Sequence, residues 1–379
     1  MKKSNWIIII TQIIIGFSFI LTASAGWQAP INISHNPLQD DAFPSLNADG
    51  TKIAYMVGDF ELEILEIYFV EYSDGDWQDP VQITENSGID YPPMINADGT
   101  KILYEVNDGN DNEICFLQCI GDIWQTPVNI TDNDVDDKHS KMNADGTKIV
   151  YAGYDGHDYE IYLVEYSGRS WQTPVQITDT DDNISYPAIN DDGNKIFYIG
   201  PDGDGKGVFL VEYSGGSWQP PVNITDISYD FIHCSINSDG TKIAMMESIQ
   251  DIYYVELSEG SWQTPVLVST NDGSHFYPEI NADGTKIAYR TDEGDWEIFF
   301  VEYREGSWQT PFRITDNDSF DFWLSLNADG TKIAYHGCYE DCEVYLRENT
   351  PDVPILSGVG MTILIIFLTL CFAGSQYRW

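Results

Sequence analysis

Asn47-Ala48-Asp49-Gly50-Thr51-Lys52-Ile53 is written seven times along this chain with small changes, returning from Asn96, Asn143, Asn190, Asn237, Asn281 and Asn327. A second phrase, Trp-Gln-x-Pro, begins at Trp27, Trp77, Trp124, Trp171, Trp218, Trp262 and Trp308. Both advance by 44 to 50 residues, so one supersecondary unit is repeated and the repeat decides the fold. In the second copy Tyr91 to Asn96 reads as a strand and Ala97-Asp98-Gly99 as a tight turn of the Asp-Gly kind. Lys101 to Val106, Glu113 to Cys119 and Trp124 to Thr131 complete the unit, giving strands a, b, c and d. Strand c is apolar on both faces elsewhere, as in the run from Glu66 to Tyr72, which predicts a sheet covered on both sides.

Four antiparallel strands repeated at this period predict an all-β fold, a seven-bladed β-propeller of four-stranded blades. Pro80, Pro127, Pro174, Pro221, Pro265 and Pro311 all fall in strand d, and proline is tolerated at a sheet edge, so strand d is expected outermost. The ends predict closure. Residues 27–34 form an unaccompanied strand d, and residues 322–347 an unaccompanied a, b and c, which together make a seventh blade and remove both open edges.

Strand a ending in Tyr91-Pro92, Tyr186-Pro187 and Tyr277-Pro278, followed by Asn-x-Asp-Gly-x-Lys-Ile and then Glu-Ile-Tyr, resembles the TolB-type propeller repeat. This chain has Asn-Ala where that family mostly has Ser-Pro. The resemblance spans residues 27–347 and implies a periplasmic or extracellular propeller used mainly for binding. The helical N-terminal domain of TolB has no counterpart here.

The ends carry export signals. Met1-Lys2-Lys3, an apolar run from Trp6 to Leu21 and the small residues Ala23-Ser24-Ala25 predict a signal peptide over residues 1–25, with an uncleaved anchor as the alternative. Residues 26–350 then form the propeller, and residues 351–379 a C-terminal membrane anchor or sorting signal. Ile355 to Ala373 is apolar and long enough to span the hydrocarbon as a transmembrane helix. Acidic residues before it and Arg378 after it place the body outside the cytoplasm, in the periplasm or at the cell surface. Val353-Pro354-Ile355-Leu356-Ser357 resembles the IPTL-type sorting signal, with a single Arg where that family has a basic cluster.

Sixty-one acidic against 18 basic residues give a formal charge of −43, which repels nucleic acid and anionic membrane surfaces, leaving the tail helix as the membrane contact. The cysteines form no disulfide framework; Cys338 and Cys342 flank a hairpin turn and are within reach of pairing in an oxidising compartment.

The d-to-a and b-to-c loops share one face of the disc and hold most of the carboxylates, whereas the repeat lysines lie on the other, so the disc is expected to be electrically two-sided. Asp108, Asp111 and Glu113, then Asp132, Asp134 and Asp136, then Asp179 and Asp181, and Asp202 and Asp204, place hard oxygen ligands at close spacing and are candidate Ca²⁺ loops. None fits the twelve-residue EF-hand, and solvated turns in which Asp and Asn serve the local backbone explain the same pattern. Asp137, Asp182 and the non-repeat Trp296 and Trp323 are the candidate ligand face; the repeat tryptophans suit blade packing. Six histidines (His35, His139, His157, His233, His275, His336) are scattered, and no Gly-x-Ser-x-Gly elbow exists. The reading favoured is therefore an exported, membrane-tethered, non-catalytic binding or scaffold module. It would recognise a protein, peptide or glycan, cationic or bridged by Ca²⁺, through its acidic loop face. The alternative is a carboxylate-dependent glycan hydrolase or lyase at the central channel mouth.

Overall fold

A computed structural model describes residues 26–350 except positions 37–38, 60–62, 87, 204, 226–229, 270–272, 293–295 and 340. The proposed leader and tail helix, and Asp204, lie outside the described residues. Seven antiparallel sheets form the seven blades of a propeller, all β. The first blade has strand a at Asp40–Leu46, strand b at Lys52–Asp59 and strand c at Ile64–Ser73, and the same order recurs to the last trio, Phe320–Leu326, Lys332–Cys338 and Cys342–Thr350.

Strand d is shorter than its sequence suggests. In the first blade it divides into Asp76–Trp77 and Val81–Gln82, each paired with strand c, and the break falls at Pro80, which has no N–H for the ladder. Strand a of the second blade divides for the same reason, into Ile89–Asp90 and Met94–Ile95 around Pro92-Pro93.

The wheel closes as the chain ends predict. Ile31 pairs with Leu346 and Asn32 with Tyr345, and the Ile33 N–H bonds the Val344 carbonyl at 2.8 Å. A hydroxyl from strand d accepts the N–H of a strand c residue in every blade: Thr84 from Ile67, Thr131 from Ile114, Thr178 from Ile161, Thr225 from Val208, Ser269 from Ile252, Thr315 from Ile298 and, for the last blade, Ser34 from Val344. The first strand thus makes the bond that its six relatives make within their own blades. Repeat tryptophans wedge between neighbours, as in Trp124 on Phe69, Trp171 on Phe116 and Trp27 on Phe300, with centroids 5.0 to 5.1 Å apart.

The repeated heptapeptide is a joint. The Asn47 Oδ1 accepts the N–H groups of Thr51 and Lys52, closing the turn, and the Lys52 Nζ donates to the Asp98 carbonyl of the next blade. Lys101, Lys148, Lys195, Lys242 and Lys286 do the same to Asp145, Gly193, Asp239, Asp283 and Asp329, and Lys332 returns to Gly50. Backbone bonds continue the joint around the mouth: Ala48 to Ala97, Ala97 to Ala144, Asp191 to Ser238, Ser238 to Ala282, Ala282 to Ala328 and Ala328 to Ala48. The expected two-sided disc needs correction accordingly. The lysines are spent between blades, and exposed Asp49, Asp98, Asp145, Asp239, Asp283 and Asp329 sit on the same turns, held below their usual pKa by Thr and Asn hydrogen bonds that outweigh desolvation. A Cβ on Gly99, at φ +70°, would lie 2.3 Å from the Lys52 stem. Gly99→Ala is expected to lower stability by about 1–3 kcal/mol, read as an earlier urea midpoint at unchanged m-value.

Candidate functional site

The inner strands surround an axial channel. Four residues before each repeat asparagine stand Phe43, Pro92, His139, Tyr186, His233, Tyr277 and Trp323. Six of these seven carry aromatic rings, and they touch in series: His139 stacks on Tyr186 at 4.2 Å, Tyr186 meets His233 at 6.5 Å, His233 meets Tyr277 at 5.5 Å, and Trp323 lies 5.0 Å from both Tyr277 and Phe43. Strand a is bulged where these rings sit, with register shifts at Ala42/Ser45, Lys138/Lys141, Ser185/Ala188, Phe276/Glu279 and Phe322/Ser325. Each bulge puts its ring-bearing residue in the left-handed region, at φ 54° for Phe43, 56° for His139, 52° for Tyr186, 49° for Tyr277 and 37° for Trp323. Bulky side chains enter that region at a cost of about 1–2 kcal/mol each, and strain of this kind gathers at functional sites.

Toward the repeat-turn mouth the channel holds a cavity of about 270 Å³ whose lining includes Lys141, His233, Cys234, Ser235 and Glu279. This is the opposite end from the loop-face mouth that the sequence suggested. The Lys141 charge reaches Glu105, His139, His233, Cys234 and Glu279. Burial raises the pKa of Glu279, against the Lys141 charge and a Ser235 hydrogen bond, and raises that of Glu105, which accepts the Ser140 N–H and hydroxyl. Burial first, then Lys141, lowers His233 to about 3. Burial and two lysines lower His139 to about 4. The Nδ1 atoms of both imidazoles are buried without a hydrogen-bond partner. His336 lies behind the rings, lowered to about 3 by burial and Arg290, and accepts the Phe43 N–H on Nδ1. One cavity therefore combines a carboxyl whose pKa burial raises, a neutral imidazole and a lysine side chain.

A second set of acids lies at the loop end of strand a. Asp41, Asp90, Asp137 and Asp321 are buried, and desolvation raises them to about 7, 6, 7 and 7 against hydrogen bonds from Asn36, Asn86, Asn133 and Asn317. Asp137, expected on the ligand face, is thus an interior group, because the first residue of strand a turns in beneath Asn133. Trp296 and Trp323 converge on the sixth and seventh blades, Trp323 in the ring series and Trp296 against Phe276 at 5.2 Å. Asp182 is exposed on its loop, where its carbonyl accepts the Thr180 hydroxyl.

The candidate Ca²⁺ loops are organised by their own backbone. Asp108 Oδ1 accepts the Asn110 N–H, Asp136 Oδ1 the Asn112 N–H and Glu113 Oε1 the Asn133 N–H. Asp111 is buried beside them, its pKa raised by desolvation and by Asp108, Asp136, Asp134 and Asp132. Asp132, Asp134, Asp179 and Asp181 are exposed and Asp202 is half-buried. Among the described residues no group of three or more His, Cys, Asp or Glu side chains is placed to hold a metal ion. Cys338 and Cys342 are joined by a disulfide across the b-to-c turn of the last blade.

No protein-family model and no curated protein matches the chain. Among solved structures it is similar to an oligogalacturonate lyase from Vibrio parahaemolyticus, with 14% identity and a TM-score of 0.61 over 86% of this chain and 94% of that one. It is similar also to a puromycin-hydrolysing peptidase from Mycobacterium tuberculosis, with 14% identity and a TM-score of 0.61 over 86% of this chain and 54% of that one. The β-propeller domain of Cps50 (Swd1) from Myceliophteria thermophila gives 10% identity and a TM-score of 0.61 over 85% and 100%. At these identities the likeness establishes the propeller fold.

The expectation of a non-catalytic module is corrected here. Two of these three similar proteins are enzymes, and three of the histidines whose scatter argued against catalysis are set around the channel, His139 and His233 on either side of Tyr186 in the ring series and His336 behind Phe43.

Proposed function

We propose that the protein is a glycan-cleaving enzyme, a hydrolase or lyase that works in its axial channel with Glu279 as proton donor and His233 as base. The observation that carries this reading is the grouping of Lys141, His233 and Glu279 in one cavity at the foot of the ring series. Aromatic faces at Tyr186, Tyr277 and Trp323 suit the apolar faces of sugars. A carboxyl whose pKa burial raises is suited to protonate a glycosidic oxygen, and an imidazole with an unpartnered Nδ1 is suited to accept a proton. Lys141 depresses His233, so an anionic group bound beside Lys141 offsets that charge and brings the imidazole toward its working range. The similar lyase supports the choice of glycan over peptide, since it aligns over nearly its whole length. Localisation belongs to the same proposal: the leader, the apolar tail and the TolB-type phrases support an enzyme held outside the cytoplasm.

The test is incubation of the full chain with neutral and uronate oligosaccharides, following new reducing ends and, for elimination, the absorbance of unsaturated product. Glu279→Gln and His233→Gln are each expected to lower turnover by about 10²–10⁴-fold. A folded wild-type protein that cleaves nothing in the panel, or variants with undiminished turnover, would overturn the proposal.

A further inference from the structure

Arg290 stands on strand b of the sixth blade (Lys286–Thr291), where the equivalent residue of the first blade is the buried Met56. Its guanidinium carbon lies 4.4 Å from the Trp296 ring, 5.1 Å from Phe276, 5.3 Å from Tyr277 and 5.1 Å from Phe322. Rings from the sixth and seventh blades therefore enclose the cation, and Tyr277 belongs also to the ring series around the channel. No carboxylate forms a salt bridge with it among the described residues, in a chain with more than three acids for each base. Its Nε is buried without a partner, and its side chain donates no hydrogen bond to a described residue.

Cation–π contact uses the faces of a guanidinium. The N–H groups lie in its plane, forming a fork that matches a carboxylate with two parallel hydrogen bonds. The cage thus satisfies the cation's faces and leaves its edge unused, in a half-buried position where a charge-assisted bond is strong. Arg313 and Arg347 show the contrast: Arg313 pairs with Glu297, and Arg347 donates to the Gln28 and Ile314 carbonyls. Both are consumed by structure.

We propose that Arg290 is the anchor for a carboxylate on the ligand, so that the glycan taken by this channel is an acidic, uronate-bearing one. This deepens the preceding proposal and rests on it for the site of cleavage. The acidic surface repels such a ligand at long range, so its recognition depends on a short-range, desolvated contact of this kind.

The test titrates the full chain in detergent with tri-galacturonate and with neutral galactotriose, by calorimetry and by tryptophan fluorescence. The wild type is expected to bind the acidic trimer at least tenfold more tightly. Arg290→Gln is expected to erase that preference, and Arg290→Lys, which keeps the charge but loses the planar fork, to retain only part of it. Thermal melting of each variant confirms the fold, and the wild-type comparison stands even where Arg290→Gln does not fold. Equal binding of the two trimers by the wild type, or an acidic preference unchanged in Arg290→Gln, overturns the anchor. Cleavage of neutral glycan without acidic preference would sink the anchor and leave the enzyme proposal standing. Acidic preference lost in Arg290→Gln, with nothing cleaved, would do the reverse.

Discussion

Ile33→Asp is expected to abolish the cooperative thermal transition of this protein, whereas Ile31→Asp, two residues earlier on the same strand, is expected to shift it by no more than a few degrees. Ile33 is 1% exposed and packs with Leu46, Ile53, Tyr55, Val57, Val344 and Leu346, which come from both ends of the chain. Ile31 is 45% exposed on the rim. Removing the Ile33 side chain costs about 2–5 kcal/mol, and placing a carboxylate there adds several more. A domain has only about 5–15 kcal/mol of net stability, so the sum is comparable to the whole. The joint between the last blade and the first, buried under Ile33, carries this result. Melting of Ile33→Asp within ~2 °C of wild type would show that the first strand is dispensable.

Thermal stability is expected to fall as pH rises from 6 to 8.5, and Asp41→Asn, Asp137→Asn and Asp321→Asn combined are expected to remove most of that fall. These carboxyls have folded pKa values of about 7, above the 3.8 of an unfolded Asp, so the stability they contribute is complete below pH 4 and is lost as pH passes 7. The histidines run the other way. His139, His233 and His336 lie at about 4, 3 and 3, below 6.5 when unfolded, so their contribution is complete above pH 6.5 and is lost as pH falls toward 3. The two sets oppose each other between pH 4 and 6.5, and above 6.5 the histidines no longer offset the raised carboxyls. Each is worth on the order of 1 kcal/mol there after screening by the loops is allowed for. Melting curves in a pH series check this, and a wild type equally stable at pH 6 and 8.5 would refute it.

The wheel, its blade number and its closure were legible because they are set by what the repeats share: Asn47, Lys52 and Trp77 recur at one period and do the same job each time. The candidate site was not legible because it is set by what the repeats do not share. Phe43, His139, Tyr186, His233, Tyr277 and Trp323 occupy one position across the repeats, yet no single copy marks it, and reading that position across all seven would have revealed the ring series. Ser34 and Thr84, with their five equivalents, were written in plain view after an apolar residue and were missed for want of the same comparison. In the sequence Asp137 belongs to a local run of charge; in the fold it is, like Asp41, Asp90 and Asp321, a buried residue at the start of an inner strand. Arg290 has no periodic signal, because its position in strand b varies from blade to blade, holding Met56, Glu105, Ala152, Ile199, Met246 and His336 elsewhere.

Each repeat lysine reaches forward to the blade that follows, and Lys332 reaches Gly50, so the sequence of grips has no first or last member. An open array of repeats frays from its ends inward, and its amides exchange in a gradient from terminus to centre. A circuit has no such starting place. Slow hydrogen exchange in the inner and middle strands should therefore be lost together, all seven blades sharing one opening free energy, and releasing any one grip should loosen its six counterparts as much as its own neighbour.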